Sequence, residues 1–471
     1  MIRMTSKKAD VSHRQQLPRA RSQRTPWWRD KAASIRTGVI AAGVSLALAG
    51  CGALLPGDVS DGASAAAQGP GPGVTEDSVK VVFVAVDLDA VQETTGFKTA
   101  SVGDQKKQIK ALETWVNDNG GLGGRKMEAV FRLYDAQADS PAAEEQLCNQ
   151  ITQDDRAFAV VLTGQYQTNA RPCYAQRKTL MLDASLVASD VEYYEELSPY
   201  LWSASFPEYA TFIKSFVKVL DDEGFFEGEK SIGIVGADTD ANRRTVTDVA
   251  LPLLKEAGVD VEVGWVDTTD IGTLYAGHEQ AIDTFRSKKV DRVTFFGGSR
   301  LASIFATVAA SKQFTARYAI SSFDNPSFFV NNPTLIPDNT MDGMVGVGFH
   351  PPQDVADDQM PFPTGETEVE CLDVFKDAGV TFETRESARV ALPYCDAVKV
   401  LKMGADNASG DLNAGTWAEA VHANGSEFRT AAGFGGALGD GGFAGAGGYR
   451  VLKYDDGCSC FVYEGDEVPF E

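Results

Sequence analysis

Residues 79–86 read VKVVFVAV, a nearly continuous apolar run. A strand with one wet face alternates apolar and polar residues, whereas a strand covered on both faces is apolar throughout. An amphipathic segment follows at 103–117, with Ile109, Leu112 and Val116 on one helical face. A doubly covered strand followed by a helix predicts an α/β fold with a parallel sheet.

The alternation of strand and helix occurs in two successive sets along the chain. Further strands are predicted at 127–134, 158–163, 179–183, 231–236, 259–266, 290–296 and 318–322. Amphipathic segments lie between them, and a second series of alternating strands and helices begins after Trp202. Two sets of βαβ units predict two parallel sheets, and hence two lobes. The last third is less regular, with helices predicted near 386–405 and 417–422 and a strand pair near 449–463.

Composition excludes one class of function. The 471 residues carry a formal net charge of −23. Nucleic-acid binding needs clustered Lys and Arg to displace counterions from phosphates, so no nucleic-acid partner is expected. The chain is long enough, and at 43% hydrophobic residues apolar enough, to bury a sizeable core.

The N-terminal segment differs from the rest of the chain. Residues 1–36 hold ten Lys and Arg against two Asp, and an apolar run at 38–49 follows. That run is shorter than the roughly 20 residues of a membrane-spanning helix. A basic region, a short apolar core and small residues together predict a secretory signal peptide.

The apolar run ends in Leu-Ala-Gly-Cys at 48–51, which resembles the lipobox of bacterial lipoproteins. The resemblance implies a signal peptide at 1–50, cleavage before Cys51 and acylation of its thiol. The Pro, Gly, Ser and Ala-rich remainder of 51–78 would be a flexible tether. The protein would then be lipid-anchored at the outer face of the bacterial cytoplasmic membrane. The alternative is a chance cysteine beside small residues.

Six cysteines remain, an even number that favours disulfides in an exported chain. They allow 15 connectivities, of which pairing of nearest neighbours is our prediction. The predicted pairs are Cys148–Cys173, Cys371–Cys395 and Cys458–Cys460. A zinc site is the alternative, but the spacings fit no zinc pattern and the four histidines lie far from any cysteine pair. No metal is therefore expected.

A family resemblance rests on residues 115–126, WVNDNGGLGGRK. This stretch resembles the NxxGGxxGRK helix end of type I periplasmic binding proteins, the receptors of the branched-chain amino-acid transporter family. Three later segments also resemble their counterparts: SIGIVGADTDAN at 231–242, RVTFFGGS at 292–299 and MDGMVGVGF at 341–349. The resemblance covers the chain from about residue 79 to its C-terminal end.

The resemblance implies two Rossmann-like lobes joined by three hinge crossovers. Lobe 1 would comprise 79–203 and 350–445, and lobe 2 would comprise 206–345 and 446–471. Proteins of this family close on one small-molecule ligand and deliver it to an ABC permease with its ATPase. We expect a monomer with no cofactor and no catalytic residues.

Ligand-binding residues are carried over from the family's loops at the carboxyl ends of strands. In lobe 1 these are Gln165, Tyr166, Thr168, Ala184 and Ser185; in lobe 2 they are Phe206, Tyr209, Asp240, Arg300 and Asp324. In amino-acid binders an acidic residue holds the ammonium group, and Asp324 is the candidate here.

Six of these residues also have a structural interpretation. Thr168 could be only a helix cap, Asp324 could cap a turn, and Arg300 could be a solvated surface charge. Tyr166, Phe206 and Tyr209 could be packing residues. Leu186, which stands where the family usually has a hydroxyl, and the cation Arg300 argue against an α-amino-acid ligand.

Three functions follow as hypotheses. The first is capture of a small polar organic ligand, such as an amino acid, amide or carboxylate, for import. The second is a lipoprotein that senses a ligand and signals to a membrane partner. The third, an exported enzyme, is disfavoured because histidine is scarce and no Gly-x-Ser-x-Gly or His-Glu-x-x-His motif occurs.

Overall fold

The structure, a computed structural model, describes residues 69–471 except 89, 91, 93–96, 99, 229–230, 299, 337–338 and 440. The predicted signal peptide, Cys51 and most of the predicted tether lie outside the described residues. Among the residues described, no helix is long and apolar enough to cross a membrane.

The first sheet holds five parallel strands in the order β2-β1-β3-β4-β5. They are β1 Ser78–Val86, β2 Lys126–Tyr134, β3 Ala159–Leu162, β4 Leu180–Asp183 and β5 Leu201–Trp202. The helices between them are α1 Gln105–Asp118, α2 Pro141–Asn149, α3 Arg171–Gln176 and α4 Val191–Glu196. This sheet with its helices is called lobe 1 below.

The turn after α1 explains the glycines of the NGGLGG stretch. Gly121 has φ +76°, and a Cβ there would lie 2.0 Å from the Arg125 carbonyl oxygen. Only glycine fits such a left-handed position so close to another backbone. The motif therefore reverses the chain tightly from α1 into β2.

The second sheet holds seven strands in the order β12-β11-β10-β9-β8-β6-β7. Its strands are β6 Ser231–Ala237, β7 Asp260–Val266, β8 Arg292–Phe296, β9 Arg317–Ser321, β10 Val345–Gly348, β11 Gly448–Asp455 and β12 Cys460–Pro469. The five strands from β6 to β10 pair in parallel, and the hairpin β11–β12 joins β10 antiparallel. This sheet and the helices packed on it are called lobe 2.

The helices of the second half follow in chain order. They are α5 Tyr209–Asp222, α6 Asp240–Arg244, α7 Leu251–Glu256, α8 Ile271–Lys288, α9 Arg300–Ser311, α10 Pro326–Asn331, α11 Pro351–Asp354, α12 Glu366–Asp377, α13 Ala391–Asn407 and α14 Ala414–Asn424. Helix α8 begins ten residues before the predicted 281–287, because Asp270 caps it by accepting hydrogen bonds from two backbone N–H groups. Helices α4, α10, α11 and α12 were not predicted.

Both sheets are covered on both faces, as the apolar runs predicted. Along β1, Val81 and Phe83 pack into a core with α1, α13 and α14, whereas Val82 and Val84 pack into a second core on the opposite face. Lobe 2 likewise has two cores, one on each face of its sheet. The predicted α/β class with two lobes and parallel-core sheets is confirmed, while the exact residue boundaries of the lobes stay a prediction.

Three chain passages run side by side between the lobes, at 203–206, 349–350 and 443–446, and the ring centroids of Phe206 and His350 are 5.2 Å apart. The Ser203 N–H donates to the Phe443 carbonyl at 2.9 Å, and the Ala446 N–H donates to the Phe206 carbonyl at 3.4 Å. Asp396, fully buried in α13, accepts hydrogen bonds from the Ser205 hydroxyl and the Ala431 N–H. Burial raises the pKa of this carboxyl to about 6.

The three predicted cysteine pairs are bonded in the structure. Cys148–Cys173 links α2 to α3, Cys371–Cys395 links α12 to α13, and Cys458–Cys460 closes the turn between β11 and β12. Formation of these bonds in the protein isolated from cells stays a prediction.

Candidate functional site

A cavity of about 610 Å³ lies between the two lobes. Lobe 1 contributes residues that follow the carboxyl ends of β1, β2, β3 and β4, and lobe 2 contributes the first turns of α8 and α9. The carboxyl ends of parallel strands are where open α/β sheets bind ligands. The volume falls in the usual range for small-molecule sites, about 300–1,000 Å³.

Most of the cavity wall is apolar. Its aliphatic and aromatic side chains come from both lobes: Val86, Leu88, Phe97, Tyr166, Leu186, Phe206, Ile271, Ile304, Phe328, Val390 and Pro393. Phe97 and Phe328 meet edge to face, with ring centroids 4.8 Å apart. A wall of this kind favours a ligand with a largely apolar body.

Gly164 brings the lobe 1 loop close to β1. Its φ is +70°, and a Cβ there would lie 2.5 Å from a methyl group of Val86. The loop after β3 therefore needs glycine to turn at this point. The turn carries Gln165 and Tyr166 to the wall of the cavity.

One ion pair crosses the cleft at the cavity wall. The Arg300 guanidinium of lobe 2 donates to an Asp139 carboxylate oxygen of lobe 1 at 2.9 Å, and it stacks 3.5 Å from the ring centroid of Tyr166. Asp139 also accepts from the Tyr134 hydroxyl at 2.6 Å and from the Gln167 amide at 2.9 Å. These contacts occupy three of the roughly four acceptor positions of the Asp139 carboxylate.

Two further contacts join the lobes near this pair. The Gln167 amide donates to the Thr268 carbonyl of lobe 2 at 3.0 Å. Arg244 of α6 forms a bidentate pair with Asp190, which caps α4, at 2.9 and 2.8 Å. The lobes are thus in a closed arrangement, held by direct polar contacts between them.

A buried charge cluster supports the lobe 1 loop from beneath. Arg171 is fully buried and pairs with Asp183 at 2.9 Å and with Glu144 at 3.5 Å. The same guanidinium donates to the Gln167 carbonyl at 2.6 Å. Burial raises the pKa of the Glu144 carboxyl to about 7, with Arg171 acting in the opposite direction. Arg171 therefore positions the loop whose Gln167 contacts lobe 2.

Polar groups without a partner interrupt the apolar wall at three places. Among the described residues, no hydrogen-bond partner is found for His350 Nε2, Gln165 Nε2 or Gln353 Oε1. All three side chains belong to the cavity wall, and these three atoms are buried. A buried polar atom without a partner costs free energy, so such atoms are points where a ligand or water is expected to bind.

Five of the ten predicted ligand-binding residues line the cavity: Gln165, Tyr166, Ala184, Phe206 and Arg300. The other five are outside its wall. Ser185 lies directly behind it and donates its hydroxyl to Gln165 at 3.3 Å. Tyr209 is buried against Phe212 and Phe323, and Asp240 is exposed on α6.

Thr168 and Asp324 have local roles in the structure. The helix predicted from residue 168 begins at Arg171, and its cap residue is Ala170, without a side-chain hydrogen bond. Asp324 is fully buried and accepts from the Ser321 N–H at 2.8 Å and from its hydroxyl at 2.7 Å. Burial raises the pKa of this carboxyl to about 7. The alternative in which Asp324 caps a turn matches this geometry.

Several cavity residues were missed from the sequence, above all Asp139, His350, Arg389 and Phe328. Asp139 directly precedes the Ser-Pro start of α2, and His350 lies two residues beyond the end of the apolar strand β10. Their position just beyond strand ends was a usable signal. Neither residue type, however, distinguished them from other loop residues.

The described residues contain no group of three or more His, Cys, Asp or Glu side chains that could hold a metal ion. The polar groups at the cavity are amide, imidazole, carboxylate, hydroxyl and guanidinium groups spread over a mainly apolar wall. This arrangement is suited to binding and orienting an organic molecule.

No protein-family model matches the chain, and no curated protein matches it by sequence. Solved structures do match. A solute-binding protein of an ABC transporter from Rhodopseudomonas palustris BisB5, in complex with 3,4-dihydroxybenzoic acid, has a TM-score of 0.56 at 14% identity, with 84% of this chain and 98% of that chain covered.

Two further structures give the same result. An ABC transporter substrate-binding protein from Desulfitobacterium hafniense in complex with Leu has a TM-score of 0.53 at 14% identity, covering 82% of this chain and 100% of its own. A branched-chain amino-acid ABC transporter protein from Thermus thermophilus with bound valine has a TM-score of 0.56 at 13% identity, covering 84% and 97%.

These neighbours are solute-binding proteins of ABC transporters, the class that the sequence resemblance indicated. At such low identities the likeness shows the fold. The chain therefore has the two-lobed fold of type I periplasmic binding proteins.

Proposed function

We propose that this protein captures a small organic solute between its two lobes and delivers it to an ABC import permease. The cavity of about 610 Å³ between the lobes is the observation that carries the proposal. The three proteins of similar fold described above are named as ABC transporter proteins. Two of them have an amino acid bound, and one has 3,4-dihydroxybenzoic acid bound.

The charged groups on the cavity wall favour a ligand that carries a carboxylate or an amide. An ammonium group needs a carboxylate with free acceptor positions. Asp139 is already bonded to Arg300, Tyr134 and Gln167. Asp270 accepts from the Gly272 and Thr273 N–H groups through Oδ1 alone, at 2.7 and 3.0 Å, so its Oδ2 takes no part in these two bonds. Cationic guanidinium groups of Arg300 and Arg389, by contrast, lie on the wall and attract an anion.

We also propose that Cys51 carries the lipid anchor and that the protein acts at the outer face of the cytoplasmic membrane. Support comes from the basic and apolar leader before Leu-Ala-Gly-Cys at 48–51. Two acyl chains suffice for stable anchoring. Metabolic labelling with a palmitate analogue should mark the wild-type chain in the membrane fraction. The Cys51→Ser variant should be unlabelled, and labelling of that variant would contradict the proposal.

Thermal unfolding of the purified full-length protein, screened against carboxylates, amides, amino acids and sugars, tests the capture proposal. A ligand at 100 times its Kd stabilises the folded state by about 2.7 kcal/mol. We expect the melting temperature to rise for one chemical class, with carboxylates or amides leading. Absence of any shift would contradict solute capture and favour a sensor that responds to a protein partner.

A further inference from the structure

We infer that His350 accepts a hydrogen bond from the bound solute, so that the solute carries an O–H or N–H donor on an otherwise apolar body. This inference rests on the proposed capture function and deepens it. It assigns a role in specificity to a residue that the family resemblance did not indicate.

The position of His350 fixes which ring nitrogen carries the proton. The residue follows β10 at one of the passages between the lobes and is fully buried. Its Nδ1 lies 2.8 Å from the Ala432 carbonyl oxygen. A carbonyl oxygen can only accept, so Nδ1 must carry the hydrogen. In the neutral ring, Nε2 is then left as an acceptor.

The ring is neutral at physiological pH. Burial lowers the pKa of His350 to about 4, and the nearby Arg389 cation acts in the same direction. Nε2 therefore keeps its lone pair instead of gaining a proton. A neutral imidazole in this tautomer is a hydrogen-bond acceptor and not an anion-binding group.

His350 Nε2 has no partner in the described part of the chain, although the residue belongs to the cavity wall. Gln353, three residues further on in α11, also lines the cavity, and its Oε1 atom has no partner either. Two hydrogen-bond acceptors three residues apart in the same segment point to a ligand that donates hydrogen bonds. The Gln165 Nε2 on lobe 1 adds a donor, which suits an acceptor on the same ligand.

The surrounding wall limits the rest of the ligand. Phe206 packs edge-on to the His350 ring, with centroids 5.2 Å apart, and Phe328 and Ile304 lie on the same wall. An apolar pocket cannot strongly reject a molecule that differs by one apolar group. A site whose buried acceptor needs a donor rejects the analogue without it much more strongly, because the acceptor stays unpaired. His350 is thus placed to set specificity.

Two matched probe pairs test this. The first is 3,4-dihydroxybenzoate with 3,4-difluorobenzoate, which is similar in size but lacks the O–H donors. The second is benzamide with acetophenone, in which a methyl group of similar size replaces the NH2 group. For the wild-type protein we expect the donor-bearing member of at least one pair to bind 10- to 100-fold more tightly, by calorimetry.

The variant His350→Phe keeps a ring and removes the acceptor, so the preference within the pair should fall below about threefold. His278→Phe is the matched control, because His278 is also fully buried but does not line the cavity, and it should keep the wild-type preference. If His350→Phe fails to fold, ¹⁵N NMR of the wild-type histidine side chains replaces it. The His350 Nε2 resonance should shift on addition of the donor-bearing probe.

The outcomes separate the two proposals. Equal affinity within each pair, or a preference that survives His350→Phe, would overturn the role of His350 while leaving solute capture intact. The role would also be overturned if neither donor-bearing probe binds but another compound of the wider screen does. Failure of every compound in that screen would overturn solute capture, and the His350 inference with it.

Discussion

The Arg300 guanidinium of lobe 2 lies 2.9 Å from the Asp139 carboxylate of lobe 1, and the same guanidinium stacks on Tyr166. The side chain of Asp139 is 2% exposed and that of Arg300 is 18% exposed, so solvent screens the pair only weakly. The protein therefore supplies its own electrostatic contact across the cleft, next to the site where a solute would bind.

A double-mutant cycle with Asp139→Ala and Arg300→Ala measures this contact. Groups in direct contact typically show coupling energies of about 0.5–3 kcal/mol, and we expect about 1–2 kcal/mol here. Each single variant should release bound solute about tenfold faster, as 1.4 kcal/mol corresponds to a factor of ten. Stopped-flow dissociation of the solute gives both quantities. Additive effects of the two substitutions would show that the pair does not hold the lobes together.

Replacing Arg171 should destabilise the protein strongly. Arg171→Met leaves the carboxylates of Glu144 and Asp183 without their cation, and breaking a buried pair in this way costs about 3–5 kcal/mol. Urea unfolding should show this loss. The control is Arg243→Met, since Arg243 pairs with Asp238 at the surface, where such pairs contribute about 0–1 kcal/mol. Similar losses for both variants would contradict the structural role of Arg171.

His278 should make the protein sensitive to acid. Burial lowers its pKa from 6.5 to about 3, so the unfolded state binds a proton that the folded state does not. Below pH 6.5 this difference favours the unfolded state, and the penalty grows as the pH falls toward 3. At pH 4 it reaches up to about 3 kcal/mol.

The His278 ring contacts the Phe305 ring edge to face. In the variant His278→Phe a phenyl ring takes this position, and the titratable group is removed. Urea unfolding at pH 7 and pH 4 should show a smaller acid-dependent loss of stability for the variant than for the wild type. Losses of equal size in the two proteins would show that His278 does not titrate on unfolding.

The disulfide prediction has a direct chemical test. Peptide mapping of the purified protein by mass spectrometry should recover Cys148–Cys173, Cys371–Cys395 and Cys458–Cys460. The first two bonds close segments with sequence separations of 25 and 24 residues. By the loop-closure relation each stabilises the folded state by about 3 kcal/mol. Reduction should therefore lower the melting temperature, and recovery of free thiols at these positions would show the prediction to be wrong.

The fold was predictable because strands that are buried on both faces have apolar residues at consecutive positions in the sequence. The run at 79–86 is apolar at consecutive positions since Val81 and Phe83 pack on one face and Val82 and Val84 on the other. Helix α10 was not predicted because its six residues are too few to show a helical periodicity. The start of α8 was missed because Asp270, a local cap in a polar segment, determines it.

The site was predictable only in part. Loops after β3 and β4 were identified from topology, and Gln165, Tyr166 and Ala184 do lie on the cavity wall. Whether a loop side chain faces the cavity depends on contacts that sequence does not reveal. Ser321 holds the Asp324 carboxylate within its own turn. Arg300 and Asp139 are 161 residues apart, and only the approach of the lobes brings them together.

The most direct test of solute capture is calorimetric titration of the solute identified by the thermal screen into the wild type and the Ala184→Trp variant. Ala184 lies on the cavity wall, so an indole at this position would occupy the space between the lobes. The control is Ala142→Trp, because residue 142 is on α2 and is not part of that wall. We predict one solute per wild-type and control molecule, with binding to Ala184→Trp weakened at least 100-fold. Unchanged affinity in Ala184→Trp would contradict the proposal that the solute binds between the lobes.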